Sequence, residues 1–166
     1  MASPCVMCNK SCCNSQVITV TSFDVERIAR HSNLKPWRFA QLRKLDLPTC
    51  LNNHVVECWD GKEREDHILA LKSLPCKLRS EEGCSVYEAR PFSCRLYPHW
   101  KTGQVSKDAV CPFVPKMMFG MVKPDLLHVE HFEKENLEFS GIVRECNRRK
   151  LTKEKAFEFL TQVRIY

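Results

Sequence analysis

The eleven cysteines of this 166-residue chain constrain its fold more than any other sequence feature. Two thiolates three residues apart can turn into one tight loop and face the same metal. The N-terminal run C-x2-C-x3-C-C supplies the first four, which are Cys5, Cys8, Cys12 and Cys13. A wider set follows later in the chain, namely Cys76, Cys84, Cys94 and Cys111. We therefore expect a fold organised around a thiolate metal site.

The number of cysteines also bears on the redox compartment. An odd count, together with a start at Met1 that lacks a charged and then apolar leader, favours reduced thiols in a cytoplasmic protein. No run of about 18 apolar residues occurs, so we expect no membrane insertion. Metal ligation is the expected role of the two cysteine sets, with disulfides or scattered reduced thiols as the alternatives.

Composition and charge narrow the class of protein. Apolar residues make up 43% of the chain, which is typical of a globular domain, and the length suits one domain. The net charge of +6 is spread along the sequence, and residues 148–150 form the only basic triplet. Nucleic-acid binders usually concentrate their cations on one face. We therefore predict no nucleic-acid partner.

Hydrophobic periodicity and turn signals predict a small Cys-rich domain of the α+β class with C-terminal helices. The predicted domain spans 1–166, with a cysteine core over 5–115 and a helical extension over 126–166. Predicted strands cover 16–20, 68–71 and 105–114, and predicted hairpin turns lie at Asp60-Gly61 and Thr102-Gly103. Predicted helices cover 23–31 behind a Thr21 or Ser22 cap, 37–44 behind Pro36, 126–150 with a break near Ser140-Gly141, and 153–164 behind Thr152.

The stretch from residue 76 to residue 98 forms the second half of the expected site. Gly83 permits a tight turn just before Cys84, and Pro91 stiffens the approach to Cys94. A four-thiolate site that holds zinc or an oxidised [4Fe-4S] core carries a net charge of about −2, which nearby guanidinium groups would offset. Arg90 and Arg95 are placed for that role. Surface ion pairs with Glu81, Glu82 or Glu88 are the alternative.

Three segments resemble the CxxCxxCC family, a domain described as chelating zinc or iron and related to the cysteine domain of flagellin lysine N-methylase. They are the run CVMCNKSCC, the helix start TSFD and the stretch CSVYEARPFSCRLYP. The resemblance spans residues 5–115 and implies the eight cysteines of the two sets as ligands. The chain has three residues before the adjacent pair where the family has two, which leaves open whether Cys12 or Cys13 is the inner ligand.

The same resemblance implies supporting roles for residues around the ligands. Tyr87, Arg90 and Arg95 are expected to contact the bound group. The remaining supporting residues are expected to be Asp24, Pro91 and Pro98.

Other residues with metal-binding chemistry have simpler interpretations. We expect Cys50, Cys58 and Cys146 to be small buried side chains outside the site. Packing or exposure is the expected role of His99, and a helical metal site at His128, His131 and Glu135 lacks a further ligand. All five glycines are isolated, so no phosphate or dinucleotide loop is predicted.

These observations favour an iron–sulfur protein that carries one [4Fe-4S] cluster. It would serve as a subunit or accessory factor in electron transfer or protein modification. A structural zinc module for protein interaction is the alternative, and an S-adenosylmethionine-dependent lysine methyltransferase is the weaker one. We expect a larger protein partner that docks on the aromatic residues after Leu126, unless those aromatics complete the core.

Overall fold

The computed structural model describes residues 12–45, 52–97, 99–101, 104–105 and 126–162. Helices and antiparallel sheets occur together in these ranges, which confirms the predicted α+β class. The helices are α1 (Cys12–Ser15), α2 (Ser22–Ser32), α3 (Pro36–Phe39), α4 (Phe92–Leu96), α5 (Leu126–Arg148) and α6 (Lys153–Thr161). The strands are β1 (Ala40–Lys44), β2 (Val56–Asp60), β3 (Glu63–Leu71), β4 (Arg79–Ser80), β5 (Gly83–Cys84), β6 (His99–Lys101) and β7 (Gln104–Val105). Short 3-10 helices cover Asn52–His54 and Tyr87–Ala89.

A three-stranded antiparallel sheet with strand order β1-β3-β2 forms the centre of the described structure. The predicted turn at Asp60-Gly61 connects β2 to β3, and Gly61 adopts a φ of 61°, which a residue without a Cβ tolerates best. The strand predicted at 68–71 is the buried end of β3. Apolar side chains of this strand meet the core on both faces, which explains its lack of polar alternation.

The strand predicted at 16–20 is reduced to one bridge. Thr19 pairs with Ala70 of β3, flanked by a 3.0 Å hydrogen bond from the Val20 N–H to the Leu69 carbonyl. Thr19 pairs with the edge of β3 that also pairs with β2, at a point past the last β2 pair. It therefore ties the segment that follows the N-terminal cysteine run to the central sheet.

The prediction of a helix over 37–44 is wrong beyond its first turn. Helix α3 ends at Phe39, and Ala40 begins strand β1, which pairs with β3 over its full length. The Lys72 N–H donates to the Phe39 carbonyl at 2.6 Å, so pairing begins at the last residue of the helix. Burial of Ala40 and Leu42 against the core overrides the local helix preference of this segment.

The C-terminal helices pack on the sheet, with α6 between α2 and the β1 and β2 strands. Helix α5 runs without interruption through Ser140 and Gly141, so the predicted break is absent. Thr152 caps α6 as predicted. Phe139 and Leu160 are fully buried in the main hydrophobic cluster, which makes much of the aromatic stripe of this region part of the core. Within the described ranges, no helix is long and apolar enough to cross a membrane.

The hairpin predicted at Thr102-Gly103 is consistent with the pairing of its flanks. Strands β6 and β7 are antiparallel partners on either side of these two residues. The turn itself and residues 106–114 of the predicted returning strand lie outside the described ranges, as do residues 163–164 of the second predicted C-terminal helix.

Candidate metal site

Four cysteines from four separate elements line one cavity of about 50 Å³. Cys13 comes from α1, Cys76 from the loop after β3, Cys84 from β5 and Cys94 from α4. All four are half-buried. The structure therefore brings one member of the N-terminal run together with three members of the second set.

The N-terminal run meets the second set through the backbone as well. The Cys76 N–H donates a 2.7 Å hydrogen bond to the Cys13 carbonyl. Such a short bond fixes the two chain segments relative to each other, although the strands of the central sheet lie between them in the sequence. The loop that carries Cys76 is itself shaped by Ser73, which has a φ of 65°.

Cys84 enters the cavity from a small hairpin. Strands β4 and β5 pair Arg79 with Cys84 and Ser80 with Gly83. Gly83 has a φ of 113°, which L side chains rarely adopt, so the predicted need for glycine before Cys84 is confirmed. The Ser85 N–H and hydroxyl both donate to the Leu78 carbonyl, at 2.9 and 2.8 Å, and close the base of the hairpin.

Cys94 is held by the short helix α4, whose position is fixed by distant groups. Pro91 precedes the helix, and its carbonyl accepts a 2.9 Å hydrogen bond from the Cys94 N–H. The Ser93 hydroxyl donates to the Thr19 carbonyl at 3.0 Å. The Phe92 N–H, an orphan donor of the first turn, donates to Asp24 Oδ1 at 3.1 Å.

Asp24 links two helix starts through one buried carboxylate. Its Oδ2 accepts from the Thr21 N–H at 3.0 Å, and the Asp24 N–H bonds the Thr21 hydroxyl in return, which is a capping box. Its Oδ1 accepts from Phe92 and, at 2.6 Å, from Arg27. The TSFD segment thus has a physical role, since it anchors the helix that carries Cys94.

Burial and mutual proximity raise the pKa of two of these thiols, Cys76 and Cys94. Burial raises the pKa of Cys94 strongly, and the neighbouring thiols of Cys13 and Cys76 add to the effect because they disfavour another negative charge. Burial also raises the pKa of Cys76, against a hydrogen bond from the Leu78 backbone. Four thiolates would therefore need a cation among them, and metal binding here would release protons.

Two arginines are among the residues that line the cavity. Arg90 was expected there; its Nε donates to the Tyr87 carbonyl at 2.8 Å, and its guanidinium lies 3.5 Å from the centre of the Tyr87 ring. Arg79 was not expected. Its position opposite Cys84 in the hairpin is the signal that would have identified it, once the turn at Gly83 was recognised.

Arg95 does not line this cavity, so its predicted contact with a bound group stays a prediction. Its Nε donates to the Arg90 carbonyl at 2.9 Å, and its guanidinium also contacts the Glu88 carbonyl. Within the described residues, neither Arg90 nor Arg95 forms an ion pair with the carboxylates of Glu81, Glu82 or Glu88. Arg95 therefore braces the backbone around Arg90.

The remaining predicted residues fall into two groups. The residues outside the described part of the chain are Cys5, Cys8, Cys50, Pro98 and Cys111, together with the side chains of Cys12, His99 and His128. Cys58 and Cys146 are buried away from the cavity, as expected. Glu135 forms a 2.6 Å ion pair with Arg27. Its carboxylate is therefore already engaged and is a poor ligand for a helical metal site that would include His131.

The donor set of the cavity fits a soft metal, because thiolates select zinc and iron–sulfur clusters. Within the described ranges, however, no group of three or more His, Cys, Asp or Glu side chains is arranged to hold an ion by itself. The four sulfurs share a cavity without converging on one point. A complete site therefore calls for closer approach of these thiols or for further ligands from the N-terminal run.

Comparison with known proteins yields one family. The model of the CxxCxxCC family, whose description is "Putative zinc- or iron-chelating domain", matches residues 4–112. No curated protein and no solved structure matches the chain. The matched range includes every cysteine of the two sets and ends before helix α5.

Proposed function

Because the chain belongs to the CxxCxxCC family, we propose that it is a metal-binding protein whose site is built from the two cysteine sets. The observation that carries this proposal is the shared cavity of Cys13, Cys76, Cys84 and Cys94. The proposed site also includes Cys5, Cys8, Cys12 and Cys111, which the family resemblance implies. Their sulfurs would supply the donors that the described residues lack.

An iron–sulfur cluster is the metal group that we propose first. A tetrahedral zinc ion at about 2.3 Å from each sulfur would draw its ligands into a tight group, and no such group occurs among the described residues. A cluster spreads its ligands farther apart, because iron and sulfide lie between the thiolates. Arg79 and Arg90 would offset its negative charge and would influence its reduction potential.

A single zinc ion is the second candidate, and the size of the cavity favours it. A space of about 50 Å³ is less than twice the roughly 30 Å³ that one water molecule takes up in the liquid. A site of this size would take one ion once the thiols approach one another, whereas a cluster would require the walls of the cavity to move apart. Zinc would make the chain a structural module for protein interaction.

The task that we propose for the metal site is that of a subunit or accessory factor. Thiolate sites that carry electrons or stabilise a fold need only a docking surface, and they need no substrate pocket. The weaker methyltransferase hypothesis requires a site for S-adenosylmethionine. None of the five glycines forms a glycine-rich loop that would suit such a cofactor.

The metal is identified by purification under anaerobic conditions. We expect broad absorption near roughly 400 nm together with acid-labile sulfide and iron, since sulfide-bridged iron absorbs there and zinc does not. A colourless protein with stoichiometric zinc would replace the cluster with the structural zinc site. A protein that holds neither metal after reconstitution would contradict the proposed function.

A further inference from the structure

An exposed tryptophan lies at the centre of a cationic surface. Trp37 is 58% exposed and Leu34 is 40% exposed, and both line the same shallow cavity of about 430 Å³ beside β3. The surface around them, which we term the Trp37 surface, comprises Leu34, Lys35, Trp37, Arg38, Lys72 and Lys77. An exposed aromatic ring does not gain the stabilisation that burial in the core provides, and its surface is available to contact a ligand.

The cations of the Trp37 surface are Lys35, Arg38, Lys72 and Lys77. Among the residues that the structure describes, none of its four cations forms an ion pair with a carboxylate. The basic residues that do form such pairs are Arg27, Arg30, Lys44, Arg64, Arg148 and Arg149. The shallow cavity beside Trp37 is lined by Arg38, Lys72 and Lys77 and by no carboxylate among the described residues, so this end of the surface is positive around an apolar centre and suits an acidic ligand.

A groove extends from Trp37 between strand β1 and helix α6. Its volume is about 640 Å³, and Leu42 and Phe157 contribute apolar side chains to its walls. β1 is an edge strand, because its only partner among the described residues is β3. An edge strand is a template for the backbone of another polypeptide.

The register of the sheet identifies the backbone groups at this edge. The Lys72 N–H bonds the Phe39 carbonyl and the Leu45 N–H bonds the Asp66 carbonyl, so the odd-numbered residues face β3. Antiparallel pairing alternates along a strand, and Leu42 therefore directs its N–H and C=O away from β3. Leu42 also lines the groove, so an incoming strand would meet these groups there.

We propose that the Trp37 surface and the adjoining edge of β1 bind an acidic, extended segment of a partner protein, which adds to the sheet as a fourth strand. Its carboxylates pair with the four cations, and one apolar side chain packs against Trp37. A polypeptide fits better than a nucleic acid or an anionic membrane, because the groove lining mixes Glu154 and Glu158 with Lys35, Lys72 and Lys153. A polypeptide can place its acidic residues against the cations alone, whereas a continuous row of phosphates would also meet the two carboxylates.

The proposed surface adjoins the cysteine cavity. Leu78 lines both the shallow cavity beside Trp37 and the cavity that contains the four thiols. Lys77, on the Trp37 surface, follows Cys76 directly in sequence. A partner segment bound here would thus lie one side chain away from the candidate metal site, although the binding proposal does not depend on the metal.

Selection of peptides by the full-length chain tests the proposal. A display library of short random peptides should yield sequences in which Asp and Glu alternate with apolar residues. A synthetic peptide of the selected sequence is then titrated by fluorescence anisotropy at low and high salt. We expect binding that weakens with salt, and roughly 30-fold weaker binding after Trp37→Ala or after the double change Lys35→Glu and Lys77→Glu. These three side chains are exposed, so the variants should fold.

Two control variants and one backbone measurement complete the test. Lys62→Glu and Leu137→Ala change an exposed cation and an exposed apolar residue elsewhere, and they should bind the peptide unchanged. The Leu42 amide should exchange with deuterium more slowly when the peptide is bound. Tighter binding of oligothymidylate or of phosphatidylserine vesicles, equal loss in the controls, or an unprotected Leu42 amide would overturn the proposal. The metal content of Trp37→Ala should be unchanged, so that a loss of peptide binding in this variant can be distinguished from a failure of the proposed metal site.

Discussion

Replacement of Asp24 by alanine is predicted to destabilise the protein and to loosen the cysteine cavity together. The carboxylate is 2% exposed and accepts hydrogen bonds from Thr21, Phe92 and Arg27. Its removal leaves the Phe92 N–H buried without its acceptor and breaks the capping box at the start of α2. Both effects act on elements that hold the candidate site.

The magnitude follows from these contacts. Loss of a helix N-cap interaction costs about 1 kcal/mol, and a hydrogen bond to a buried charged group is worth about 1.5–3 kcal/mol. We therefore expect Asp24→Ala to lower the free energy of unfolding by about 2.5–4 kcal/mol, a large share of the stability of a domain. Asp24→Asn should cost less, because the amide oxygen can still accept a bond from Phe92.

Urea denaturation of the chelator-treated protein measures this loss without any contribution from bound metal. At an m-value of about 2 kcal/mol/M, the midpoint should fall by about 2 M. The matched control is Glu26→Ala on the same helix, which removes a carboxylate whose ion-pair partner among the described residues is the exposed Arg30. The control should change stability by less than about 0.5 kcal/mol. Equal effects of the two substitutions would refute the proposed role of Asp24.

Two further predictions concern buried titratable groups away from the cavity. Burial raises the pKa of Cys58 to about 12 and that of Cys146 to about 11, so native protein at pH 8 should leave both unalkylated by iodoacetamide; labelling before unfolding would contradict the packing. Burial lowers the pKa of His67 from 6.5, and therefore stability present above pH 6.5 should decline as the pH falls below it. His67→Gln should flatten this decline in thermal melts from pH 7 to pH 5, and an unaltered slope would be evidence against it.

Local sequence patterns predicted the elements whose signals lie within a few residues. The glycine turns at Gly61 and Gly83 and the start of α6 behind Thr152 were identified correctly, and the cap of α2 is Thr21, one of the two predicted candidates. Each depends on backbone geometry that one or two residues dictate. The burial of Cys58 and Cys146 also followed from their separation from both cysteine sets.

Contacts between residues far apart in the sequence determine the features that local sequence patterns did not predict. The change from helix α3 to strand β1 at Ala40 results from pairing with β3, about thirty residues later in the sequence. The uninterrupted course of α5 through Gly141 depends on its packing against the sheet. Arg79 belongs to the cavity only because a hairpin places it opposite Cys84, and the residues around Cys94 gave no indication of it.

The metal content of two single-cysteine variants tests the central claim most directly. Cys94→Ser removes a thiol from the cavity, whereas Cys146→Ser removes a buried thiol outside it. Both proteins are purified anaerobically, and iron, zinc and sulfide are measured per chain. We predict that Cys94→Ser loses most of the metal and that Cys146→Ser retains the wild-type amount. Full retention of metal by Cys94→Ser, or equal loss in both variants, would contradict a metal site built on this cavity.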